Sequence, residues 1–331
     1  MDELFAGSGE GPLVIAEIGG NHAGDIELAK KMVVAAVEAG ARAVKFQTYR
    51  TEELVAPSDP NFAAFAGEAL SFDEFRTLND FCREQKTVFL STPFGQASAD
   101  LLEELEVPAF KIASGDLTHL PFLRFVASKN RPILLSTGGA SWTEIDQAVE
   151  ALRSASSARL VLLHCTAAYP AEDAEINLRV MGQLQQRYGI EVGFSDHSLG
   201  IELSLAAVAL GAAVVEKHFT TDRSLPDGDN DMSITPPELE MLIVASRRIR
   251  SALGAAERQP TPAEKELLPV MRRSLVLGRP VEAGALLQAE DLVIVRPGTG
   301  LAPQDLERVV GKKVKHPLKS GAVLRWEDLE V

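Results

Sequence analysis

One pattern recurs eight times between residue 12 and about residue 253 of this 331-residue chain. Each repeat begins with a short apolar run, passes through a polar turn and continues into a segment whose apolar residues recur at three- and four-residue spacing. Short apolar runs that alternate with helices are typical of buried parallel strands. The predicted strands are Leu13–Ile18, Ala43–Gln47, Thr87–Ser91, Ala109–Ala113, Ile133–Ser136, Leu160–His164, Glu191–Phe194 and Ala213–Lys217. The predicted helices between them include Ile26–Ala39, Phe72–Gln85, Ala97–Leu105, Thr143–Leu152 and Ile201–Leu210.

Eight βα units over about 240 residues are the number and length expected of a TIM barrel. The competing α/β fold is a doubly wound sheet, which usually carries a glycine-rich turn for a pyrophosphate after its first strand. No GxGxxG follows a predicted strand in this sequence. The sequence therefore favours the (β/α)8 barrel.

The composition changes after Leu253. Residues 254–270 are rich in Ala, Glu and Pro, which is typical of a linker. Residues 271–331 contain short apolar runs between Gly and Pro turns, and predict strands at Ser274–Leu277, Leu292–Val295 and Val323–Arg325. We therefore expect a barrel at 1–253, a linker at 254–270 and a small second domain at 271–331.

Charge and cysteine content exclude several classes of protein. The chain has 33 Lys and Arg against 47 Asp and Glu, a net charge of −14, whereas a nucleic-acid-binding protein needs a basic surface. The negative net charge is compatible with a small anionic substrate, because a pocket can be locally positive inside a negatively charged protein. Two cysteines outside CxxC spacing form no disulfide framework. The opening MDELFAGSGEG lacks a signal-peptide pattern and no apolar run reaches about 18 residues, so we expect a cytoplasmic protein.

Polar residues stand at the end of every predicted strand, where a TIM barrel places its active site. Lys45 and Lys111 supply ammonium groups, and several serines and threonines supply hydroxyls. Together they predict a site for an oxygen-rich anion such as a phosphate or carboxylate. Taken singly, a strand lysine can instead point into solvent, and a strand-end hydroxyl can cap a helix. The hydroxyl residues are Ser91, Thr92, Ser114, Ser136, Thr137 and Ser195.

Two histidines, His197 and His218, end the neighbouring seventh and eighth strands. Two converging imidazoles can hold a divalent metal with open positions, and an anionic substrate favours Mn²⁺ or Mg²⁺ over structural zinc. The alternative is that both rings only pack in the core. Glu17 on the first strand lies beside the eighth when the barrel closes, so it is a candidate base or a carboxylate that stabilises a ligand hydroxyl, directly or through a metal-bound water. A Cys165–His164 pair is disfavoured, because adjacent strand residues point to opposite faces.

Three connections are long for a βα barrel: Tyr49–Leu70, Ala167–Asn177 and Thr220–Pro237. Long loops at the mouth of a barrel are usually lids or substrate-binding loops. We therefore expect these three segments to cover the site.

Six motifs in fixed order resemble the sialic acid synthase family. The seventh match, RPGTGL at residues 296–301, resembles a segment of that family's C-terminal antifreeze-like (SAF) domain. The resemblance spans nearly the whole chain. The six motifs are AEIGGNHAG at 16–24, VKFQT at 44–48, STPF at 91–94, KIASGD at 111–116, FSDHS at 194–198 and EKHFT at 216–220.

The resemblance implies condensation of phosphoenolpyruvate with an N-acyl hexosamine, such as N-acetylmannosamine, to a nine-carbon 2-keto acid and phosphate. It implies Mn²⁺ on His197 and His218, with Mg²⁺ or Co²⁺ as alternatives. It also implies a homodimer in which the SAF domain of one subunit caps the partner's barrel. The catalytic residues it implies are Glu17, Lys45, Lys111 and Asp116. Its phosphoenolpyruvate-binding residues are Lys45, Thr92, Lys111, Ser114, Ser136, Thr166 and Ser195, and its sugar-binding residues are Gln47, Phe94, Tyr169, Asp229 and Arg296.

Several departures leave the sugar open. HCTAAYP at 164–170 stands where the bacterial enzymes have HCNTEYP, Asp116 replaces a common Glu, and PDGDN at 226–230 differs from the usual GPDH. The last difference leaves the register of Asp229 uncertain by a position or two. The substrate can thus be a precursor of legionaminic or pseudaminic acid, or a phosphorylated mannosamine. Two rival functions are a Schiff-base aldolase using Lys45 or Lys111 and a non-catalytic sugar-binding protein.

Overall fold

A computed structural model describes residues 11–226 and 228–330. Most of the N-terminal segment used to exclude a signal peptide therefore lies outside the described residues, as does Asp227. The chain divides into two compact units, with the boundary between Gly254 and Ala255.

The first unit contains eight parallel strands arranged almost in a full circle. Each strand pairs with its neighbours in the order β3-β2-β1-β8-β7-β6-β5-β4, and β3 lies against β4 at the remaining seam. The β1–β8 ladder joins the first and last strands, which an open doubly wound sheet does not do. The predicted TIM barrel is thus confirmed. The strands are β1 Leu13–Gly19, β2 Ala43–Thr48, β3 Val88–Pro93, β4 Phe110–Ile112, β5 Ile133–Ser136, β6 Leu160–Cys165, β7 Val192–Asp196 and β8 Val214–His218.

Helices follow the strands and cover the outside of the circle. Side-chain caps set the start of some of these helices: Asp25, for example, accepts the backbone N–H groups of Glu27 and Leu28 at the start of α1. The long connection after β2 forms two short helices, α2 and α3. The helices of this unit are α1 Ile26–Glu38, α2 Thr51–Leu54, α3 Phe62–Glu68, α4 Phe72–Glu84, α5 Gln96–Glu104, α6 Leu120–Ala127, α7 Trp142–Ala155, α8 Asp173–Ile176, α9 Val180–Tyr188, α10 Glu202–Ala209 and α11 Pro236–Leu253.

Strand residues alternate between two apolar cores. Leu13 and Ile15 pack inside the circle, whereas Val14 and Ala16 pack between the strands and the helices. Because this period of two continues to the strand ends, the next inward position of β1 is Glu17. The same alternation decides which polar residue of each strand faces the mouth of the barrel.

The second unit has its own apolar core and a two-stranded antiparallel sheet. Its strands are β9 Ser274–Leu277 and β10 Leu292–Val295, and its helices are α12 Pro262–Met271 and α13 Leu306–Val309. The predicted strand Val323–Arg325 is wrong: Val323 forms an isolated bridge to Val276, and the backbone hydrogen bonds beside it, from Leu277 to Ala322 and from Leu324 to Leu275, do not extend into a ladder. The segment predicted as a linker contains α12. No helix in the described part of the chain is both long and apolar enough to cross a membrane.

Candidate active site

A cavity of about 410 Å³ opens at the carboxyl ends of the barrel strands. It is lined by residues from all eight strands and from the turns directly after them, as the alternation along the strands predicts. The predicted site residues found in its lining are Glu17, Lys45, Gln47, Thr92, Phe94, Lys111, Ser114, Ser136, Tyr169, Ser195, His197, His218 and Asp229.

Two lysines and two glutamates form a buried ionic cluster at the floor of the cavity. The Lys45 Nζ atom lies 2.7 Å from Glu17 Oε2 and 3.8 Å from Glu216 Oε2. The Lys111 Nζ atom lies 3.6 Å from Glu216 Oε1. All four residues are at most 5% exposed. Buried charges are unfavourable unless they are paired. A cluster of buried ionisable groups at a cavity is therefore a candidate functional site.

The cluster shifts the protonation of its members. Burial raises the pKa of Glu17 to about 7, against the attraction of Lys45 and with help from the negative charge of Glu216. Burial likewise lowers the pKa of Lys111, and the attraction of Glu216 only partly offsets it. Burial also disfavours the charge on Lys45, but Glu17 and Glu216 outweigh it and raise the pKa of that ammonium group. The floor of the cavity thus carries a carboxyl that can exchange a proton near neutral pH.

Hydroxyl and backbone groups surround the two ammonium groups. Lys45 Nζ donates to Thr92 Oγ1 at 2.9 Å, and Ser195 Oγ donates to Glu216 Oε1 at 3.1 Å. Ser114 Oγ accepts the N–H of Gly138 at 2.9 Å. The Ser136 Oγ atom is buried at the cavity and has no hydrogen-bond partner among the described residues. An unpaired buried hydroxyl is unfavourable, so this one is available to a bound oxygen anion.

The rings of His197 and His218 lie side by side, with centroids 5.4 Å apart. His197 Nδ1 lies 2.8 Å from the Thr166 carbonyl oxygen, which only accepts, so Nδ1 carries the proton and the Nε2 lone pair is free. His218 Nδ1 is buried without a hydrogen-bond partner among the described residues, and Asp229 Oδ2 lies 3.5 Å from it. Burial and the neighbouring His197 hold the pKa of His218 well below its usual value.

The hydrogen bond of His197 to a carbonyl and the lowered pKa of His218 suit a pair of metal ligands. A histidine that binds a metal is neutral and usually donates its other N–H to a carbonyl. Burial opposes the charge on His197, but its contact with Cys165 Sγ raises the pKa of that ring. No cluster of three or more His, Cys, Asp or Glu with metal-binding geometry occurs within residues 11–226 and 228–330.

The alternation that turns the two histidines inward turns their neighbours outward. Lys217 and Asp196 point away from the cavity and form a buried ion pair at 3.0 Å. His164 also faces the helices, where Nε2 lies 2.6 Å from the Ile176 carbonyl oxygen. Cys165 faces the cavity, so the two adjacent residues lie on opposite sides of β6.

Five of the predicted site residues lie elsewhere. The Ser91 Oγ atom lies 2.7 Å from Thr48 Oγ1, and Thr137 Oγ1 donates to the Leu163 carbonyl oxygen at 3.0 Å; neither residue lines the cavity. Asp116 ends a 3₁₀ turn beside the cavity, and Thr166 lines a separate groove between β6 and α7. Arg296 belongs to the second unit, directly after β10. Neither the position of Thr166 nor that of Asp116 follows from strand alternation, because both residues come after their strands have ended.

Sequence reasoning missed several residues of the cavity. Glu216 is the most important, since it contacts both lysines. It lies two residues before His218 on the same strand, so strand alternation could have placed it inside the barrel. Leu54 and Phe65 reach the cavity from α2 and α3, so the predicted loop does cover the site. The lining also includes Asp229, from the loop after β8.

Comparison with known proteins gives consistent matches over the whole chain. The NeuB family model matches residues 32–258 and the SAF domain model matches residues 272–330. The N,N'-diacetyllegionaminic acid synthase of Legionella pneumophila is 38% identical over 96% of this chain and 94% of its own length. The human N-acetylneuraminate-9-phosphate synthase is 34% identical over 91% and 88%. The crystal structure of the N-acetylneuraminic acid synthetase from Leptospira borgpetersenii superposes with a TM-score of 0.75 at 36% identity, covering 78% of this chain and 90% of that one.

Proposed function

This chain belongs to the NeuB family, and on that premise we propose that it condenses phosphoenolpyruvate with an N-acyl hexosamine to give a nine-carbon 2-keto acid and phosphate. The observation that carries the proposal is the ionic cluster of Glu17, Lys45, Lys111 and Glu216 beside His197 and His218. Relatives matched over 91–96% of this chain are named as synthases of N,N'-diacetyllegionaminic acid, N-acetylneuraminate 9-phosphate and pseudaminic acid.

The two lysines and the free hydroxyl of Ser136 suit the anionic end of phosphoenolpyruvate. Its phosphate and carboxylate would take the place of the glutamates as partners of Lys45 and Lys111. The approach of an anion would also raise the pKa of Lys111, which burial lowers, and so favour its ammonium form. We therefore assign Lys45, Thr92, Lys111, Ser114, Ser136 and Ser195 to this substrate.

The opposite side of the cavity suits a sugar. Gln47 Nε2 lies 3.4 Å from Glu17 Oε1, and Tyr169 stacks on His197 with ring centroids 4.2 Å apart. In the reaction, C3 of phosphoenolpyruvate attacks the sugar aldehyde carbon, the aldehyde oxygen takes a proton, water adds at C2 and phosphate leaves. Glu17, with a pKa of about 7, is the group that can deliver that proton. We assign Gln47, Phe94, Tyr169 and Asp229 to the sugar.

A divalent metal, Mn²⁺ foremost and Mg²⁺ or Co²⁺ as alternatives, would be held by His197 and His218. Bound there, it supplies a Lewis acid for the aldehyde oxygen. With only two histidine ligands the ion should be labile. We expect EDTA to abolish turnover and added Mn²⁺ to restore it, and we expect His218→Asn to lose Mn²⁺ binding measured by electron paramagnetic resonance. Full activity in EDTA, or unchanged Mn²⁺ binding in His218→Asn, would contradict this assignment.

The reaction is tested by phosphate release from phosphoenolpyruvate with a panel of N-acyl hexosamines. The panel contains N-acetylmannosamine, its 6-phosphate and diacetamido sugars that lead to legionaminic and pseudaminic acids. Release that requires one of these sugars supports the proposal, and the best sugar identifies the substrate. Release that is equal without any sugar would overturn it.

A Schiff-base aldolase is the second candidate, because burial lowers the pKa of Lys111 as such chemistry requires. Borohydride added with pyruvate or another 2-keto acid would then attach the substrate covalently, and EDTA would have no effect. Absence of a covalent adduct excludes this candidate.

We further propose a homodimer in which Arg296 of one subunit reaches the sugar site of the other. Charge supports the pairing: residues 271–331 hold ten Lys and Arg against eight Asp and Glu, whereas the whole chain has a net charge of −14. Arg296→Ala should raise the KM for the sugar about tenfold and that for phosphoenolpyruvate far less.

Mixed dimers test the exchange directly. Arg296→Ala and Lys111→Ala subunits are each weakly active alone, but one intact site forms when they are combined. Random mixing of equal amounts makes about half of the dimers mixed, each with one intact site of two, so recovery of about a quarter of the wild-type activity is expected. If the mixture recovers no activity, Arg296 does not act across the dimer.

A further inference from the structure

The loop between β8 and α11 carries Asp229 into the cavity, and its backbone is tied to a residue of the first βα turn. We propose that Asn21 is a positioning residue that fixes Asp229 over His218. The inference deepens the proposed function, since Asp229 is there assigned to the sugar.

The Asn21 side chain uses its donors and its acceptor on three different partners. Its Nδ2 donates to the Phe219 carbonyl oxygen and to Ser233 Oγ, each at 2.9 Å. Its Oδ1 accepts the backbone N–H of Asp229 at 2.7 Å. The residue is 1% exposed. One amide thus joins the end of β8 to both ends of the segment that bears Asp229.

A second link strengthens the first. Ser233 Oγ, which receives the Asn21 N–H, donates in turn to the Asp229 carbonyl oxygen at 2.7 Å. Asp229 is therefore held at its N–H by Asn21 and at its carbonyl by Ser233. With both backbone groups fixed, the carboxylate has little freedom beyond side-chain rotation, and it faces His218 Nδ1 at 3.5 Å.

The residue type at position 21 matters. An aspartate would lose both N–H donors and bury a charge, and an alanine would leave the N–H of Asp229 without its partner. The hydrogen bond between Asn21 and Asp229 joins residues 208 positions apart in the sequence, so it forms only when the first and last βα units of the barrel are in place.

Gly228, next to Asp229 in the loop, also packs closely against Asn21. Its φ angle is +58°, and a Cβ atom there would lie 2.7 Å from Asn21 Oδ1 and 3.1 Å from the Asn21 backbone nitrogen. Only glycine lets the loop approach Asn21 so closely. Gly228→Ala therefore offers a second way to break the contact that leaves Asn21 unchanged.

The test compares Asn21→Ala and Gly228→Ala with Asp229→Ala. Both positioning variants should raise the sugar KM about tenfold, with kcat lowered less and the phosphoenolpyruvate Kd unchanged by calorimetry. Amide hydrogen exchange at Asp229 should rise at least about tenfold in both. The double variant Asn21→Ala/Asp229→Ala should be no worse for the sugar than Asp229→Ala alone.

Asn79→Ala is the matched control. Asn79 is also a buried amide, 5% exposed, and donates to the Leu105 carbonyl oxygen far from the loop. It should lower the melting temperature without changing the sugar KM. Unchanged exchange at Asp229, an unchanged sugar KM or additive losses in the double variant would overturn the proposal. If no sugar is turned over at all, the proposed function fails, but amide hydrogen exchange at Asp229 still decides whether Asn21 holds the loop. If Asn21→Ala does not fold, the measurements on Gly228→Ala decide alone.

Discussion

Replacing Glu17 with glutamine should reduce turnover by about a hundredfold to ten-thousandfold, the usual contribution of a positioned acid or base. Glu17 is 1% exposed, ion-paired with Lys45 at 2.7 Å and has a pKa of about 7. Glutamine keeps the shape and the acceptor oxygen but cannot exchange a proton. Because Lys45 and Lys111 stay in place, phosphoenolpyruvate should still bind, with a Kd within a few-fold of wild type by calorimetry.

Glu74→Gln is the matched control for that change. Glu74 caps α4, where its Oε2 atom accepts the Ser71 N–H at 2.7 Å, and it lies outside the cavity. The control should lose some thermal stability and no activity. Full activity in Glu17→Gln would refute the assigned role, and loss of phosphoenolpyruvate binding would show that Glu17 acts by holding Lys45.

Replacing Lys111 with methionine should weaken phosphoenolpyruvate binding about a hundredfold. Removing a charge-assisted hydrogen bond of about 3 kcal/mol corresponds to that factor in Kd. The variant also removes the ammonium group that lies 3.6 Å from Glu216. With one buried cationic neighbour fewer, the negative charge of Glu216 then repels the anionic substrate. Isothermal titration with phosphoenolpyruvate measures the loss directly.

Lys129→Met separates this effect from the general loss of a lysine. The Lys129 Nζ atom lies 2.6 Å from both Asp100 and Glu103, on the outside of the barrel. The control should bind phosphoenolpyruvate normally. If Lys111→Met also binds normally, the anion lies elsewhere in the cavity.

Most of the barrel could be predicted from the sequence because strand period and helix period are local properties. Alternation along β1 places Glu17 inward, and alternation along β8 places Glu216 and His218 inward with Lys217 outward. Applied to every strand, that rule also finds Glu216, which the motif comparison alone did not select.

Features set by tertiary contacts could not be predicted in this way. The register of Asp229 depends on its hydrogen bond to Asn21, 208 residues earlier in the chain. Thr166 turns into a neighbouring groove after β6 has ended, where no strand period applies. The segment Val323–Arg325 forms an isolated bridge to Val276 in place of the expected strand, because how far two segments pair depends on tertiary contacts that a short apolar run does not reveal.

The product formed from phosphoenolpyruvate and the best sugar of the panel tests the central claim most directly. We predict a compound whose mass is that of the sugar plus the three-carbon carboxylic unit of phosphoenolpyruvate, formed with one phosphate per molecule and only by the metal-loaded protein. Phosphate released together with free pyruvate, and no nine-carbon acid, would contradict the account.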